Sequence, residues 1–248
     1  MDNGHAEAAL APRVMAAAEF GRIVLSLGPR IENDDDLLEL LQRAADSVRT
    51  VIPSAQYCSV TVDFDKRTYT AVYTDSKTLE IDKQQYRTDQ GPCLHAARTG
   101  ETVVVDCDET DDRWPEFGPA ARSEGVHSFL AAPVLADTDR FGAVNIYGED
   151  PSAFDDVDAE LLSVVTSAVG RAIGDFARYR TVADIADGLR EAMAHRAPIE
   201  QAKGILMALR GIDADTAFEV LADQSQRTNR KLRDVAADFV ATASGKTE

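Results

Sequence analysis

The chain has 248 residues, 44% of them hydrophobic and 28% charged, with a formal net charge of -17. That is enough apolar material for a packed core, and it excludes wholesale disorder. The acidic balance excludes a generally basic nucleic-acid coat and adhesion to an anionic membrane.

Residues 12–27 read as a first helix, with Val14, Ala17, Ala18 and Leu25 on its apolar side and Gly28-Pro29 as its stop. Asp34-Asp35-Asp36 offers an N-cap and an acidic first turn for a second helix. Its apolar set, Leu37, Leu40, Leu41, Ala44, Ala45 and Val48, has helical spacing, and Pro53 closes it. The period then changes. Tyr57 to Phe64 and Thr68 to Thr74 are rich in β-branched and aromatic residues, separated by a hairpin turn at Asp65-Lys66-Arg67. Thr78 to Arg87 is expected as a further strand. Cys93 to Arg98 reads as a short helix ending at Gly100, Thr102 to Val105 as a strand, and Trp114 to Glu124 as a helix stopped by Gly125. Ser128 to Leu135 and Phe141 to Tyr147 are strands around a polar turn. Strands in a meander with helices interposed predict an α+β fold, not a parallel βαβ array.

From Asp155 the pattern is helical as far as His195, with Leu161, Val165, Ala168, Ala172, Phe176, Tyr179, Val182, Ala186, Leu189 and Met193 at steps of three or four. A stripe of that length predicts a coiled coil. Its first half is wide enough to pack on the preceding domain, and the narrower second half reads as a dimerising stalk. Ala197-Pro198 is expected to break it. Three short helices follow, at Ile199 to Leu209, Asp213 to Gln224 and Asn229 to Ala243. Gly211 is a candidate C-cap, and Asp213 and Asn229 are candidate N-caps. The resulting bundle of about 45 residues is near the lower limit for independent folding.

Charge divides the chain in the same place. Between Arg196 and Val235 there are seven basic and six acidic residues, and the whole deficit lies before Arg196. The segment RTNRKLR, Arg227 to Arg233, is a dense basic patch. An acidic body with a locally basic tail points to two jobs.

The tail reads R-x-P-I-E-Q-A-K-G-I-L-M from Arg196 to Met207, A-F-E-V-L from Ala217 to Leu221 and S-Q-R-T-N-R-K-L-R-D-V-A from Ser225 to Ala236. These blocks closely resemble the ANTAR domain, the RNA-binding output module of bacterial antitermination regulators. The resemblance implies a three-helix output on a coiled-coil stalk, which binds paired stem-loops in leader transcripts as a dimer. The residues suit that chemistry. Arg196, Lys203, Arg227, Arg230, Lys231 and Arg233 supply cations for phosphate, Gln226, Thr228 and Asn229 can read base edges, and Gly204 lets backbone approach closely. Phe218 and Phe239 lie at core spacing, so base stacking on aromatics is not expected.

The front of the chain carries G-P-C-L-H-A-A-R-T-G-E-T-V-V-V-D from Gly91 to Asp106, R-W-P-E-F from Arg113, A-A-P-V from Ala131 and F-G-A-V-N-I-Y from Phe141. This resembles a GAF domain of the type often joined to ANTAR. The resemblance implies a sheet of about six antiparallel strands with helices on its faces. GAF domains variously bind cyclic nucleotides, haem, bilins or other small molecules, or only dimerise, and the fold does not fix the ligand.

Cys93 and His95 invite a pigment or metal reading. Bilin attachment uses a cysteine directly beside a histidine, and here Leu94 intervenes, so Cys93 reads as a buried structural thiol. His95 and His127 have nothing around them that marks a haem ligand, and the Cys/His spacing matches no zinc site. The odd, sparse set Cys58, Cys93 and Cys107 predicts no disulfide scaffold. It does not resemble the pattern of the GAF-fold methionine sulfoxide reductases, and no other catalytic motif is present. The acidic residues around Cys107 read as an exposed loop that Trp114 anchors to the core.

The expectation is therefore a GAF-type antiparallel sheet flanked by helices, then a long coiled-coil helix and a C-terminal three-helix bundle. The domains expected are an N-terminal helix (1–30), a GAF sensor (31–175), a coiled-coil stalk (176–195) and an ANTAR domain (196–243). The protein is expected to be a non-enzymatic homodimer that binds RNA and no metal or cofactor, with a small-molecule signal of unknown identity. No apolar run reaches the roughly 18 residues of a membrane helix. Asp2 and Glu7 precede the first fixed cation, Arg13, unlike a secretory leader, so the cytoplasm is the expected compartment. The alternative is a small-molecule or redox sensor acting through protein partners or DNA.

Overall fold

The computed structural model describes residues 20–27, 31–64, 67–177, 180–228 and 230–243. The chain divides into two compact units, Met1–Asp187 and Gly188–Glu248.

In the first unit a helical segment α1 (residues 20–26) is followed by α2 (Asp34–Val51), β1 (Tyr57–Phe64), β2 (Arg67–Tyr73), α3 (Lys77–Thr88), α4 (Pro92–Thr99), β3 (Val103–Asp106), α5 (Cys107–Arg113), α6 (Phe117–Ser123), β4 (Ser128–Ala136), β5 (Asp139–Gly148) and α7 (Asp156–Phe176). The strands form one antiparallel sheet in the order β2-β1-β5-β4-β3. The α+β class read from the sequence is the observed one, with five strands among the described residues against the six expected.

The sheet has two unlike faces because β1 alternates. Cys58, Val60 and Val62 point to the side of α2 and α7, and Ser59 and Thr61 to the side of α3 and α4. On the first side α2 buries Leu37, Leu38, Leu40, Leu41, Ala44, Ala45 and Val48. Its N-terminus is closed by a capping box between Asn33 and Asp36, one residue before the expected cap at Asp34. The helix α7 lies against β4 so closely that a Cβ at Gly170 would sit 2.0 Å from the carbonyl oxygen of Leu135. On the second side the apolar half lies over β3, β4 and β5, where Trp114, Phe117, Phe129 and Tyr147 meet.

Three expectations need correction here. Residues 78–87 form helix α3, not a strand: Thr78, Ile81, Asp82 and Gln85 are buried at steps of three and four, so the buried stripe is helical but largely polar. The acidic stretch after Asp106 is helix α5, not a loop, and the helix expected from Trp114 begins at Phe117. The helical run from Asp155 to His195 is not continuous. It ends at Phe176 and restarts at Val182, where Thr181 and Asp184 exchange side-chain and backbone hydrogen bonds in a capping box.

Helix α8 (Val182–Arg210) starts in the first unit. Arg180 pairs with Asp34 at 2.6 Å, and the Tyr69 hydroxyl on β2 donates to the Ala186 carbonyl at 2.6 Å. Ile185 and Ala186 are buried, so this part of the predicted stalk stripe is covered within one chain.

The second unit contains the rest of α8, then α9 (Ala214–Thr228) and α10 (Leu232–Ala243). Pro198 lies inside α8 and does not break it. An internal proline costs about 3 kcal/mol, so packing has to hold the helix together, and Ala192 before it and Ala202 and Leu206 after it are buried. The core is small: Ala202, Leu206, Ala217, Leu221 and Ala236, flanked by partly buried Ile199, Leu232, Phe239 and Val240. Gly211 ends α8 in the left-handed region at φ 64°, and Asp213 accepts from the Thr216 N–H at 2.8 Å, both as expected. The expected cap Asn229, the expected hairpin residues Asp65 and Lys66, and the expected helix before residue 20 lie outside the described residues.

Candidate functional site

Under α3 the interior of the first unit is polar. Ser59 and Thr61 on β1, Thr70 on β2, Asn145 and Tyr147 on β5 and Asp82 and Gln85 on α3 are all buried. The Tyr147 hydroxyl donates to one oxygen of Asp82, and Thr70 Oγ1 donates to the other at 2.8 Å. Ser59 Oγ lies 3.0 Å from the Tyr147 hydroxyl. Asn145 Nδ2 donates to Ser59 Oγ at 3.2 Å and to Thr61 Oγ1 at 2.9 Å. The Tyr86 hydroxyl, partly buried, closes the cluster at 2.9 Å from Thr61 Oγ1 and 2.8 Å from Thr70 Oγ1. Gln85 Oε1 accepts from the backbone N–H of Cys93 at 3.0 Å. Among the described residues two buried side-chain atoms have no partner, Gln85 Nε2 and Asn145 Oδ1.

Burial pushes the Asp82 carboxyl up to about 6, against the hydroxyl bonds that hold it down. Burial also pushes the Tyr86 and Tyr147 hydroxyls up, and the nearby Asp82 charge adds to it. Asn145 and Tyr147 lie in the F-G-A-V-N-I-Y block, but the sequence alone assigns none of these residues to a site. Their signal is Thr78, Asp82 and Gln85 on one helical stripe, with Ser59 and Thr61 at alternate positions of a strand.

The thiols offer no comparable chemistry. Cys58, Cys93 and Cys107 are buried, and burial pushes the Cys58 and Cys93 thiols up, away from reactive thiolate. Cys93 Sγ sits 3.6 Å from Thr61 Oγ1 as a packed thiol. His95 lies edge-on to Trp114, its Nε2 3.6 Å from a Glu101 carboxylate oxygen. Trp114 is buried, as expected, with the Arg113 guanidinium over its ring. Among the described residues no group of three or more His, Cys, Asp or Glu is placed to hold a metal ion.

In the second unit the predicted RNA-contacting residues fall into two groups. Arg196, Lys203 and Gly204 are on α8, and Gln226, Arg227, Arg230, Lys231 and Arg233 surround the α9–α10 connection. The two meet where Arg233 Nη1 comes within 2.7 Å of His195 Nε2, beside Arg196. Lys203 lies seven residues beyond Arg196, about 10 Å along the same helix face. A Cβ at Gly204 would meet nothing within 4 Å, so the helix is open there. Internal partners occupy several of the cations: Lys203 pairs with Glu200 at 3.0 Å and Arg230 with Asp238 at 2.7 Å. Gln226, Arg227 and Lys231 are exposed, and the two cations make no ion pair among the described residues.

Residues 34–174 match the GAF domain family and residues 187–240 the ANTAR domain family. A search of curated proteins returned no match. Among solved structures, the GAF domain of an Acinetobacter phosphoenolpyruvate-protein phosphotransferase is similar at 14% identity and a TM-score of 0.50, over 66% of this chain and 94% of that one. The corresponding Coxiella burnetii domain gives 15% identity and 0.49 over 66% and 94%. A type II free methionine-R-sulfoxide reductase from Thermoplasma acidophilum gives 15% and 0.47 over 58% and 96%. The first shows the fold alone, and the other two carry no argument about this chain. The antiparallel sheet between unlike helical faces and the helical tail thus have their family: the chain belongs to the GAF family, and it carries an ANTAR domain behind its GAF domain.

Proposed function

We propose that the protein is a dimeric regulator of transcription antitermination, in which the GAF domain receives a small-molecule signal and the ANTAR domain engages paired stem-loops in leader transcripts. The two matched families supply a sensor module and an RNA-binding module. The observation that carries the reading is the exposed cationic junction of α9 and α10, with Arg227 and Lys231 outward beside Gln226, inside the ANTAR match. Phosphate contact needs such cations, and exposed loop bases need donors and acceptors next to them. Arg196, Lys203, Gly204, Asn229, Arg230 and Arg233 extend that surface. The protein is read as a cytoplasmic dimer whose seam in segment 176–195 excludes Ile185 and Ala186, which are buried within one chain. No described helix is long and apolar enough to cross a membrane.

For a signal to regulate, it must bind two arrangements of the chain with different affinity. The start of α8, held to β2 by Tyr69 and to α2 by Arg180, is where a change in the sensor reaches the output helix. Nothing favours the redox alternative, because the Cys58 and Cys93 thiols are buried and held protonated.

The test is crosslinking in the native cell followed by sequencing of bound RNA and DNA, with Arg227→Ala/Lys231→Ala as control. Leader transcripts with paired stem-loops, lost in the control, support the reading. Enrichment of DNA alone, or of neither nucleic acid, overturns it.

A further inference from the structure

Helix α3 turns inward a face made of Thr78, Asp82 and Gln85 beside one apolar residue, Ile81. A helix recruited only to cover a sheet has no use for that face. Polar groups cost free energy on burial unless fully paired, and a buried carboxylate without a countercharge costs most. Here the pairing is incomplete in a defined way. The groups around Asp82 are hydroxyls, from Tyr147 on β5, Thr70 on β2 and Ser59 on β1. From α4, Arg98 is already held by Asp63 at 2.8 Å and Asp89 at 2.7 Å, and it supplies no countercharge. Asn145 Oδ1 is an acceptor without a donor and Gln85 Nε2 a donor without an acceptor, and both residues are at least nine-tenths buried.

We propose that this polar interior is a binding site for a small organic cation bearing N–H donors, with Asp82 as its anionic anchor, Asn145 accepting a second N–H and Gln85 donating to an acceptor on the same molecule. The inference rests on the reading of residues 34–174 as a sensor. It names the chemical class of the signal. The missing partner must bring positive charge, at least two donors and one acceptor, and an ammonium or amidinium head group meets the first two needs. Helix α3 ends at Asp89 in the left-handed region (φ 56°), and Gly91 follows at φ 140°, where a Cβ would sit 2.2 Å from Gln85 Oε1. That glycine lets Gln85 reach past the α3–α4 connection to the Cys93 N–H at 3.0 Å.

The experiment measures heat unfolding of the full chain at neutral pH with methylammonium, acetamidinium, guanidinium or imidazolium chloride, each at about 10 mM, a range in which a weak ligand shifts the midpoint by mass action. Acetamide and sodium chloride are the controls. At least one cation is expected to raise the midpoint above both controls. Saturation-transfer NMR then gives its affinity, which should fall about tenfold or more in Asp82→Asn and less steeply in Asn145→Ala, because a charged partner is worth more than a neutral one. Each variant's own unfolding midpoint reports whether it folds. No cation-specific shift, a shift kept in Asp82→Asn, or equal binding of acetamide overturns the proposal. RNA binding plays no part in this readout, so a failure here leaves the output assignment standing, and a failure of RNA binding leaves this site standing.

Discussion

The two faces of the sheet are built by opposite rules. On α2 and α7 the buried side chains are leucine, valine, isoleucine and alanine with the single polar exception of Thr166, and Gly170 lets helix and strand touch. Under α3 the same sheet presents serine, threonine, asparagine and tyrosine to an aspartate and a glutamine. The first face holds the fold together. The second holds groups whose burial works against stability, which marks it as the face kept for another purpose.

Substitutions should separate the faces. On the apolar side Leu41 is fully buried, and Leu41→Ala should lose about 2–5 kcal/mol, read from the urea midpoint. A loss under 1 kcal/mol, roughly what a surface site gives, would deny that this face carries the fold.

On the polar side the sign reverses. The folded chain holds the Asp82 proton up to about pH 6, whereas the ordinary carboxyl value is 3.8. Folding therefore takes up a proton between those values, and the stability this residue contributes is lost as pH rises through 6. The difference is about 3 kcal/mol at ~1.4 kcal/mol per pH unit. Asp82→Asn, neutral throughout, should be more stable than wild type at neutral pH and lack that slope. A variant less stable at every pH would make Asp82 a structural residue and erase the contrast between the faces.

The output domain offers a comparison between core and surface. Arg227→Ala/Lys231→Ala should weaken RNA binding about tenfold and make the salt dependence shallower by about two counterions, with the unfolding midpoint unchanged. The smallest effect expected is at Arg180, whose pair with Asp34 is only partly buried. Arg180→Ala should cost at most about 1 kcal/mol, but it should raise hydrogen exchange at the start of α8.

The apolar face was legible in the sequence because its rule is the one periodicity detects: α2 was placed within a residue of its cap. The polar face was not. A helix that buries Thr78, Asp82 and Gln85 has no apolar stripe, so its period was hidden and it read as a strand. The break at 177–181 was hidden for a related reason, because Thr181 and Asp184 make their capping box inside a stripe that continues in phase on both sides. Pro198 shows the reverse case: a local rule called for a break, and packing of the turns around it kept the helix whole. The candidate RNA surface was legible as composition. Its internal pairing, Arg230 with Asp238 and Lys203 with Glu200, depends on geometry that residue type alone does not give.

If the GAF domain regulates the tail, its polar face and the RNA surface must be energetically coupled. The most direct test is the affinity of the full chain for a leader RNA recovered by crosslinking, compared between wild type and Asp82→Asn. A several-fold change in affinity with an unchanged salt slope is expected, because the substitution shifts which arrangement is populated and leaves the phosphate contacts alone. Identical affinities, in a variant shown to fold, would contradict it and leave two domains that share a chain without sharing a signal.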